Sequence, residues 1–554
     1  MTEREEFIEF SHKGYKWTAA PGFAEVIRSD PRVLEPADAP VKEGPARVVW
    51  HFTPEGFPEG VYVKRYRMPT WRDKLKYALR PAKATREFLV TVELAQRGVS
   101  APQALAVGVK RSGPVLVDSV FISAAIPAAQ PLDKVAHERR GIATHAEVKA
   151  FTRSFAAFVK GMHDAGVLHR DIHPANILVR EDAKREPTFT LLDLHDVRVG
   201  SALPYGQRLR NLAVIGRSFG KDVPKHWRLR FLKMYLGSDE GLAKAAAAIE
   251  SMALSGLRRN WAKQDSRFCG NNKHFHHVAV GPFTGRARKT PLAKAALQLF
   301  EKGDPFGAAE GILKDSRTST VGVFRVSIHG AERRIIIKRR NPRHGFRSIL
   351  DPCRASRSMK GFFYGAAFEH RGIPTPQVLG ALEDRPAGFH RRDYLIQEFI
   401  EEAETLADAI AGGEDSPLYR LMQLNRPRFF QVVARTLRRM HQSGLSMRDL
   451  KAANVLLYRH GDRMGFYLTD LDGVRLYRWG VPEGRAMQNL ARLYVDADNA
   501  GTFTPQDAVL FLNEYLGYPD SRTVQRWISG IEHRAKRVRE MLRKRAGRRL
   551  KAEG

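Results

Sequence analysis

The sequence predicts an α+β protein in which one domain is used twice, each copy a small β-rich lobe followed by a mainly helical lobe. Three observations carry this. An eight-residue run, His169-Arg170-Asp171-Ile172-His173-Pro174-Ala175-Asn176, recurs as Met447-Arg448-Asp449-Leu450-Lys451-Ala452-Ala453-Asn454. Each run is followed at a similar distance by another aspartate, in Leu191-Leu192-Asp193-Leu194-His195 and Leu468-Thr469-Asp470-Leu471-Asp472. The flanks repeat in register as well: Lys64 matches Lys338 (338 − 64 = 274), and Gly98-Val99-Ser100-Ala101-Pro102 matches Gly372-Ile373-Pro374-Thr375-Pro376 at the same offset. By the loop the offset has grown (449 − 171 = 278), and Met162-His163 and Asn211-Leu212 keep it with Met440-His441 and Asn489-Leu490. Self-similarity over that length means a duplicated domain with loop-sized insertions.

The elements follow in order. Val61–Tyr66 and Arg334–Arg339 read as strands, each carrying a lysine. Lys83–Arg97 reads as a helix closed by Gly98, with Glu87 near its start. Val148, Phe151, Phe155, Phe158 and Met162 share a helical face, as do Phe430, Val433, Leu437 and Met440; these stripes are core, and Gly166 and Gly444 end them. After each loop two short strands form a hairpin that leads to the strand-borne second aspartate. Residues 1–260 are expected as the first domain and 291–554 as the second. Residues 261–290, rich in Gly, His, Arg and Lys, are expected as a linker. The run His274-Phe275-His276-His277 within it lacks a cysteine or carboxylate at a metal-binding spacing, so a structural role is expected there.

An aspartate, an asparagine five residues on, and a later aspartate form the constellation of phosphoryl transfer, which marks both copies as protein-kinase-like. Asp171 and Asp449 are expected to take the hydroxyl proton, with Asn176, Asp193, Asn454 and Asp470 holding Mg²⁺ against the phosphates of ATP. Lys64, oriented by an ion pair with Glu87, and Lys338 are expected to meet those phosphates. Asp472 is a further candidate ligand. Lys451 could steady the transferring group, and His173 stands at that position in the first copy.

The copies differ. Met447 replaces His169, and the register puts Gly361 where Glu87 stands, with Glu369 two turns further on. An unpaired Lys338 predicts a slow site, or one that binds ATP without turnover. Neither copy has a Gly-x-Gly-x-x-Gly loop, although Asp315–Val326 offers a polar turn able to cover phosphates through backbone N–H groups. Too few residues separate Asp193 from the next basic helix, near Arg208, for a peptide-docking segment, which disfavours a protein substrate.

Composition agrees with two cores: 554 residues with 43% hydrophobic content suit two domains. The N-terminal Met-Thr-Glu-Arg-Glu-Glu is polar, unlike a secretory signal, and no apolar run is long enough to cross a bilayer. Cys269 and Cys353 are the two cysteines, so a disulfide framework is excluded and a cytoplasmic setting is expected. Lys+Arg 92 against Asp+Glu 60 gives a net charge of +32. Ten basic and three acidic residues fall within Ile531–Gly554, with Val538, Met541, Leu542 and Leu550 interleaved. That pattern reads either as an amphipathic helix for an anionic membrane surface or as a solvated terminal helix. No nucleic-acid-binding motif accompanies the charge, so nucleic acid is not the expected partner.

These residues resemble the lipopolysaccharide kinase family, the Kdo and heptose kinases. The signatures are Val63-Lys64-Arg65, the helix ending in Gly-Val/Ile-x-x-Pro, Asp171-x-His173-x-x-Asn176, the run from Leu191 to Arg198, and Asn211-Leu212. The resemblance implies an ATP-dependent kinase acting on a sugar hydroxyl of the lipopolysaccharide inner core, an anionic glycolipid, at the cytoplasmic face of the inner membrane. It spans both copies, whereas one domain is the family's expected form. A Ser/Thr protein kinase, suggested by Arg448-Asp449-Leu450-Lys451, and a non-catalytic ATP-binding scaffold are the alternatives.

Overall fold

The computed structural model describes residues 7–36, 38–68, 70, 77–78, 80–139, 142–181, 186–219, 223–268, 270–316, 318–341, 356–384, 392–461, 463–501 and 503–553. Cys269 and Cys353 lie outside them. The chain divides into two units, Met1–Gly256 and Leu257–Gly554.

In the first unit, seven strands form one antiparallel sheet: β1 (Ile8–His12), β2 (Tyr15–Ala19), β3 (Lys42–Gly44), β4 (Arg47–Phe52), β5 (Val61–Arg67), β6 (Ala104–Ser112) and β7 (Val115–Ala124). Their order is β1-β2-β6-β7-β5-β4-β3. Along β5, Val61 and Val63 are buried on one face, and Lys64 and the buried Tyr66 lie on the other. Helices α1 (Pro21–Ser29) and α2 (Lys83–Gln96) cover this sheet's core of Trp17, Phe23, Trp50 and Ile122 and the neighbouring cluster of Phe88 and Phe121.

The helical lobe holds α3 (Leu132–Glu138), α4 (His145–Asp164), α5 (Tyr205–Phe219), α6 (Lys225–Leu236) and α7 (Leu242–Phe268). Short strands β8 (Gln130–Pro131), β9 (Val167–His169), β10 (Ile177–Glu181), β11 (Pro187–Leu191) and β12 (Val197–Val199) frame the loop. Thr144 and Glu147 cap α4 reciprocally, and its Phe155, Val159 and Met162 fill the core with Ile172, Leu194 and Leu212.

The second unit repeats the plan. Strands β13 (Phe275–Val280), β14 (Phe283–Arg288), β15 (Gly311–Ser316), β16 (Ser319–Ile328), β17 (Ala331–Arg340), β18 (Val378–Asp384) and β19 (Arg392–Glu398) take the equivalent order, β13-β14-β18-β19-β17-β16-β15. The smaller strands are β20 (Ala403–Thr405), β21 (Leu445–Met447), β22 (Val455–His460), β23 (Arg463–Leu468) and β24 (Val474–Leu476). The helices are α8 (Pro291–Gln298), α9 (Arg357–His370), α10 (Leu406–Gly412), α11 (Pro417–Leu424), α12 (Arg426–Gln442), α13 (Glu483–Asn499), α14 (Pro505–Leu516) and α15 (Ser521–Glu553).

This corrects the expected linker at residues 261–290. Its first part is the end of α7, and its second is the hairpin β13–β14, which pairs with β18 as β2 pairs with β6. The polar composition hid an alternation in β14, where Phe283, Gly285 and Ala287 are buried in turn, while β13 buries Phe275 and Val278 on opposite faces. The second copy therefore begins before residue 291, and the division at Gly256 falls inside α7 rather than at residue 260.

The terminal basic helix is present as α15, but Ile531, Ala535, Val538 and Leu542 pack into the helical-lobe core. Through Leu542, then, its apolar stripe is used by the fold and is not left over for a bilayer. No helix among the described residues is long and apolar enough to cross a membrane.

Candidate active site

Both helices α2 and α9 stop at a glycine in the left-handed region, Gly98 (φ 69) and Gly372 (φ 66). In each, the next N–H turns back to the helix: Val99 to Leu94 O (2.9 Å) and Ile373 to Phe368 O (2.9 Å). This shared stop sets the register of each helix against its lysine strand. In the first unit it brings Glu87, 1% exposed, to the Lys64 ammonium. Lys64 Nζ lies 2.5 Å from Glu87 Oε1, and the Tyr66 hydroxyl donates to Glu87 Oε2 at 2.5 Å. Burial, then the neighbouring Glu87 carboxylate, pushes the Tyr66 hydroxyl well above its ordinary pKa, so it stays a donor.

The loop is held from below by a buried polar chain. His163 Nδ1 meets the Tyr235 hydroxyl (2.8 Å), and its Nε2 meets Asn211 Oδ1 (2.9 Å). Asn211 Nδ2 donates to His169 O (2.8 Å), and His169 Nε2 donates to Leu192 O (2.8 Å). Burial lowers the pKa of both histidines, which keeps them neutral. Leu192 N–H donates to Asn176 O (2.8 Å), locking the two halves of the site together.

On this base Asn176 Nδ2 donates to the backbone oxygen of Asp171 at 3.0 Å, which leaves the amide oxygen as its acceptor. The Asp171 carboxylate is 72% exposed, with His173 Nε2 at 3.7 Å, so it is open to an incoming hydroxyl. Asp193 was expected on the strand; it stands two residues past β11, in the left-handed region at φ 60 and ψ 51. Asp470 does the same after β23, at φ 56 and ψ 59. A non-glycine residue rarely holds this conformation, and both copies hold it at the aspartate.

Asp193 Oδ1 accepts from Arg47 Nη1 at 2.5 Å and lies 3.4 Å from His195 Nδ1. Burial works to raise this carboxyl's pKa, but His195, Lys64 and Arg47 outweigh it and hold the group far below the usual carboxylate range. Among the described residues, Glu87, Asp193 and His195 are the one trio of His, Cys, Asp or Glu side chains whose ligand atoms lie within 4.8 Å of one another.

The second unit keeps the base. His441 meets the Tyr515 hydroxyl (2.7 Å) and Asn489 Oδ1 (3.1 Å), and burial lowers its pKa to about 4. Asn454 Nδ2 donates to Asp449 O at 2.8 Å. Met447 fills the space of His169 as a fully buried core residue, so that replacement is one of packing. Asp449 lies 3.3 Å from Arg448 Nη2 and 4.0 Å from Arg492 Nη2. Lys451 stands at the head of the short 3₁₀ turn Ala452–Asn454.

The lysine's surroundings differ. Lys338 Nζ sits 2.5 Å from Asp470 Oδ1 and 3.4 Å from Asp472 Oδ2. Glu369 is engaged by Arg288 instead. Burial would raise the Asp470 pKa, but Lys338 and Arg340 hold it below the ordinary value. Gly361 lies on the buried face of α9, where an added Cβ would meet Leu395 Cδ2 at 3.0 Å.

Arg47, Tyr66, His195 and Arg340 were not singled out from sequence. The partners of Arg47, Tyr66 and Arg340 are distant in the chain, and His195 stands two residues from Asp193. Only the internal offset linking Tyr66 to Arg340 and His195 to Asp472 marks the positions. The polar chain was legible as repeated His163 and Asn211, although no role followed from the repeat.

Against known proteins, a family profile described as "Lipopolysaccharide kinase (Kdo/WaaP) family" matches residues 37–235 and 309–515. A solved structure described as "WaaP in complex with acyl carrier protein" is 23% identical, covering 38% of this chain and 84% of that chain, with a TM-score of 0.31. No curated protein matches the chain.

Proposed function

The chain belongs to the lipopolysaccharide kinase (Kdo/WaaP) family and is a kinase; from that premise we propose that it transfers phosphate from ATP to a sugar hydroxyl of the lipopolysaccharide inner core. The observation that carries this reading is the first unit's constellation. A buried lysine–glutamate pair, a left-handed Asp193, and Asn176 tied to the Asp171 backbone stand together on one polar scaffold.

In this reading the Asp171 carboxylate accepts the acceptor's hydroxyl proton as the new phosphate ester forms, and ADP leaves. Lys64, steered by Glu87, holds the phosphates. Asn176 and Asp193 supply the hard oxygen donors that suit magnesium, which when bound would neutralise phosphate charge. In the second unit Asp449 takes the place of the base, Lys338 and Lys451 face the phosphates, and Asn454 and Asp470 are the matching metal donors. The departures around Lys338 favour a slower second site, or one that binds nucleotide and supports the first. The short span between Asp193 and α5 at Tyr205 favours a glycolipid over a peptide acceptor. The net charge of +32 favours an anionic acceptor and a peripheral place on the anionic cytoplasmic face of the inner membrane.

The test is ADP release by the full chain, with and without delipidated lipopolysaccharide core. Asp171→Ala should lower acceptor-dependent release by about a hundredfold or more, the usual worth of a general base, and Asp449→Ala should lower it less. Turnover that survives the double substitution would sink the catalytic reading.

A further inference from the structure

We propose that in the second unit the carboxylate anchoring the phosphate-facing lysine has moved from the helix to the loop, so that Asp472 does for Lys338 what Glu87 does for Lys64. This rests on the nucleotide reading above and adds a positioning residue that the family pattern does not place there.

Three positions change together. Helix α2 offers Glu87, but α9 offers Gly361. Two residues beyond the left-handed aspartate, His195 of the first unit becomes Asp472. On the lysine strand Tyr66, which donates to Glu87, becomes Arg340, which pairs with Asp472. The first unit thus spreads an acid on the helix, a neutral hydroxyl on the strand and an imidazole on the loop. The second has Gly361 at the matching helix position, with its helix acid Glu369 held by Arg288, a cation on the strand and an acid on the loop.

The arginine has moved as well. In the first unit Arg47 holds Asp193 from β4, directly across the ladder from Tyr66. The equivalent pair in the second is Ser319 across from Arg340, so the guanidinium has crossed to the lysine strand. These exchanges are mutually consistent. A Cβ at position 361 would lie 3.9 Å from Asp472 Oδ1, so a glutamate there would bring a second carboxylate against the first. An acid is acceptable on the helix or on the loop, and like charges disfavour both together.

The arrangement also says when Asp472 matters. Lys338 is shared between Asp470 at 2.5 Å and Asp472 at 3.4 Å. With Asp470 engaged by a bound metal and nucleotide, Asp472 would be the carboxylate left beside the lysine, paired with Arg340.

A lysine-reactive ATP acyl phosphate tests this on the full chain, because peptide mapping reads Lys64 and Lys338 separately in one sample. The isosteric Asp472→Asn should cut ATP-protectable labelling of Lys338 about tenfold or more, the loss of one charge-assisted contact, and leave Lys64 unchanged. Asp472→Glu should retain it. Returning an acid to the helix, as Gly361→Glu with Leu395→Ala to clear the 3.0 Å approach, should restore labelling in the Asp472→Asn chain. Undiminished labelling of Lys338 in Asp472→Asn, or labelling of Lys64 but not Lys338 in the unaltered chain, would overturn the relocation. Labelling of neither lysine in the unaltered chain would instead overturn the nucleotide reading on which it rests.

Discussion

Replacing Glu87 by glutamine tests whether the buried pair of the first unit is as strongly coupled as its geometry implies. The substitution keeps the shape and an acceptor for the Tyr66 hydroxyl but removes the charge 2.5 Å from Lys64 Nζ. Breaking a fully buried pair costs about 3–5 kcal/mol because a charge is stranded. Lys64 is 15% exposed and Asp193 lies near, so its ammonium retains some water and a second carboxylate. That reduces the expected loss to about 2–3 kcal/mol. Glu87→Ala should cost about 1–2 kcal/mol more, since it also strands the buried Tyr66 hydroxyl. Hydrogen exchange of the Lys83–Gln96 segment in the full chain reads the change where it occurs. Combined with Lys64→Met in a double-mutant cycle, Glu87→Gln should show a coupling of about 1.5 kcal/mol or more. A coupling below about 0.5 kcal/mol, the level of an exposed pair, would refute the inference that this contact positions the lysine.

Further outcomes follow from the same contacts. Gly166→Ala and Gly444→Ala should each cost about 3 kcal/mol or more in urea unfolding. Both sit at positive φ (76 and 90), and an added Cβ would meet a backbone oxygen at 2.1 Å, Gly200 O and Tyr477 O respectively. Gly98→Ala, at φ 69 with nothing within 4 Å, should cost only about 1 kcal/mol; equal losses at all three would show that conformation alone governs these turns. Asp265→Ala removes the bidentate, buried partner of Arg371 (2.9 and 2.7 Å) and should destabilise the second unit by about 3–5 kcal/mol, measured by thermal unfolding. His441 is held neutral, with its pKa lowered to about 4 from the ordinary 6.5. The unfolded chain therefore binds this proton first, and stability present above pH ~6.5 is lost as pH falls towards ~4, by roughly 3 kcal/mol. A second-unit urea midpoint that stays flat over that interval would contradict the burial argument.

Much of the site was readable because its residues are close in sequence. Asp171 and Asn176, and Asp449 and Asn454, fall within one loop, and a five-residue spacing is enough for the asparagine side chain to reach the aspartate's own backbone oxygen. The duplication was readable for a related reason: offsets of glycines, histidines and lysines survive small insertions. The hairpin at Phe275–Arg288 was missed although its second strand alternates, since polar and charged residues dominate the composition of the segment. The terminal helix was recognised as a helix, but whether its apolar stripe met lipid or protein could not follow from periodicity, which is the same in both cases.

The sequence by itself determined the two copies, their lysines and their loop aspartates, because these depend on local spacing and on repetition along the chain. Only the tertiary structure decided which carboxylate each lysine meets: Glu87 for Lys64, and Asp470 with Asp472 for Lys338. Those partners are 23, 132 and 134 residues apart in the chain. Their meeting depends on how a helix, a strand and a loop converge, and a convergence of that kind leaves no period in the sequence.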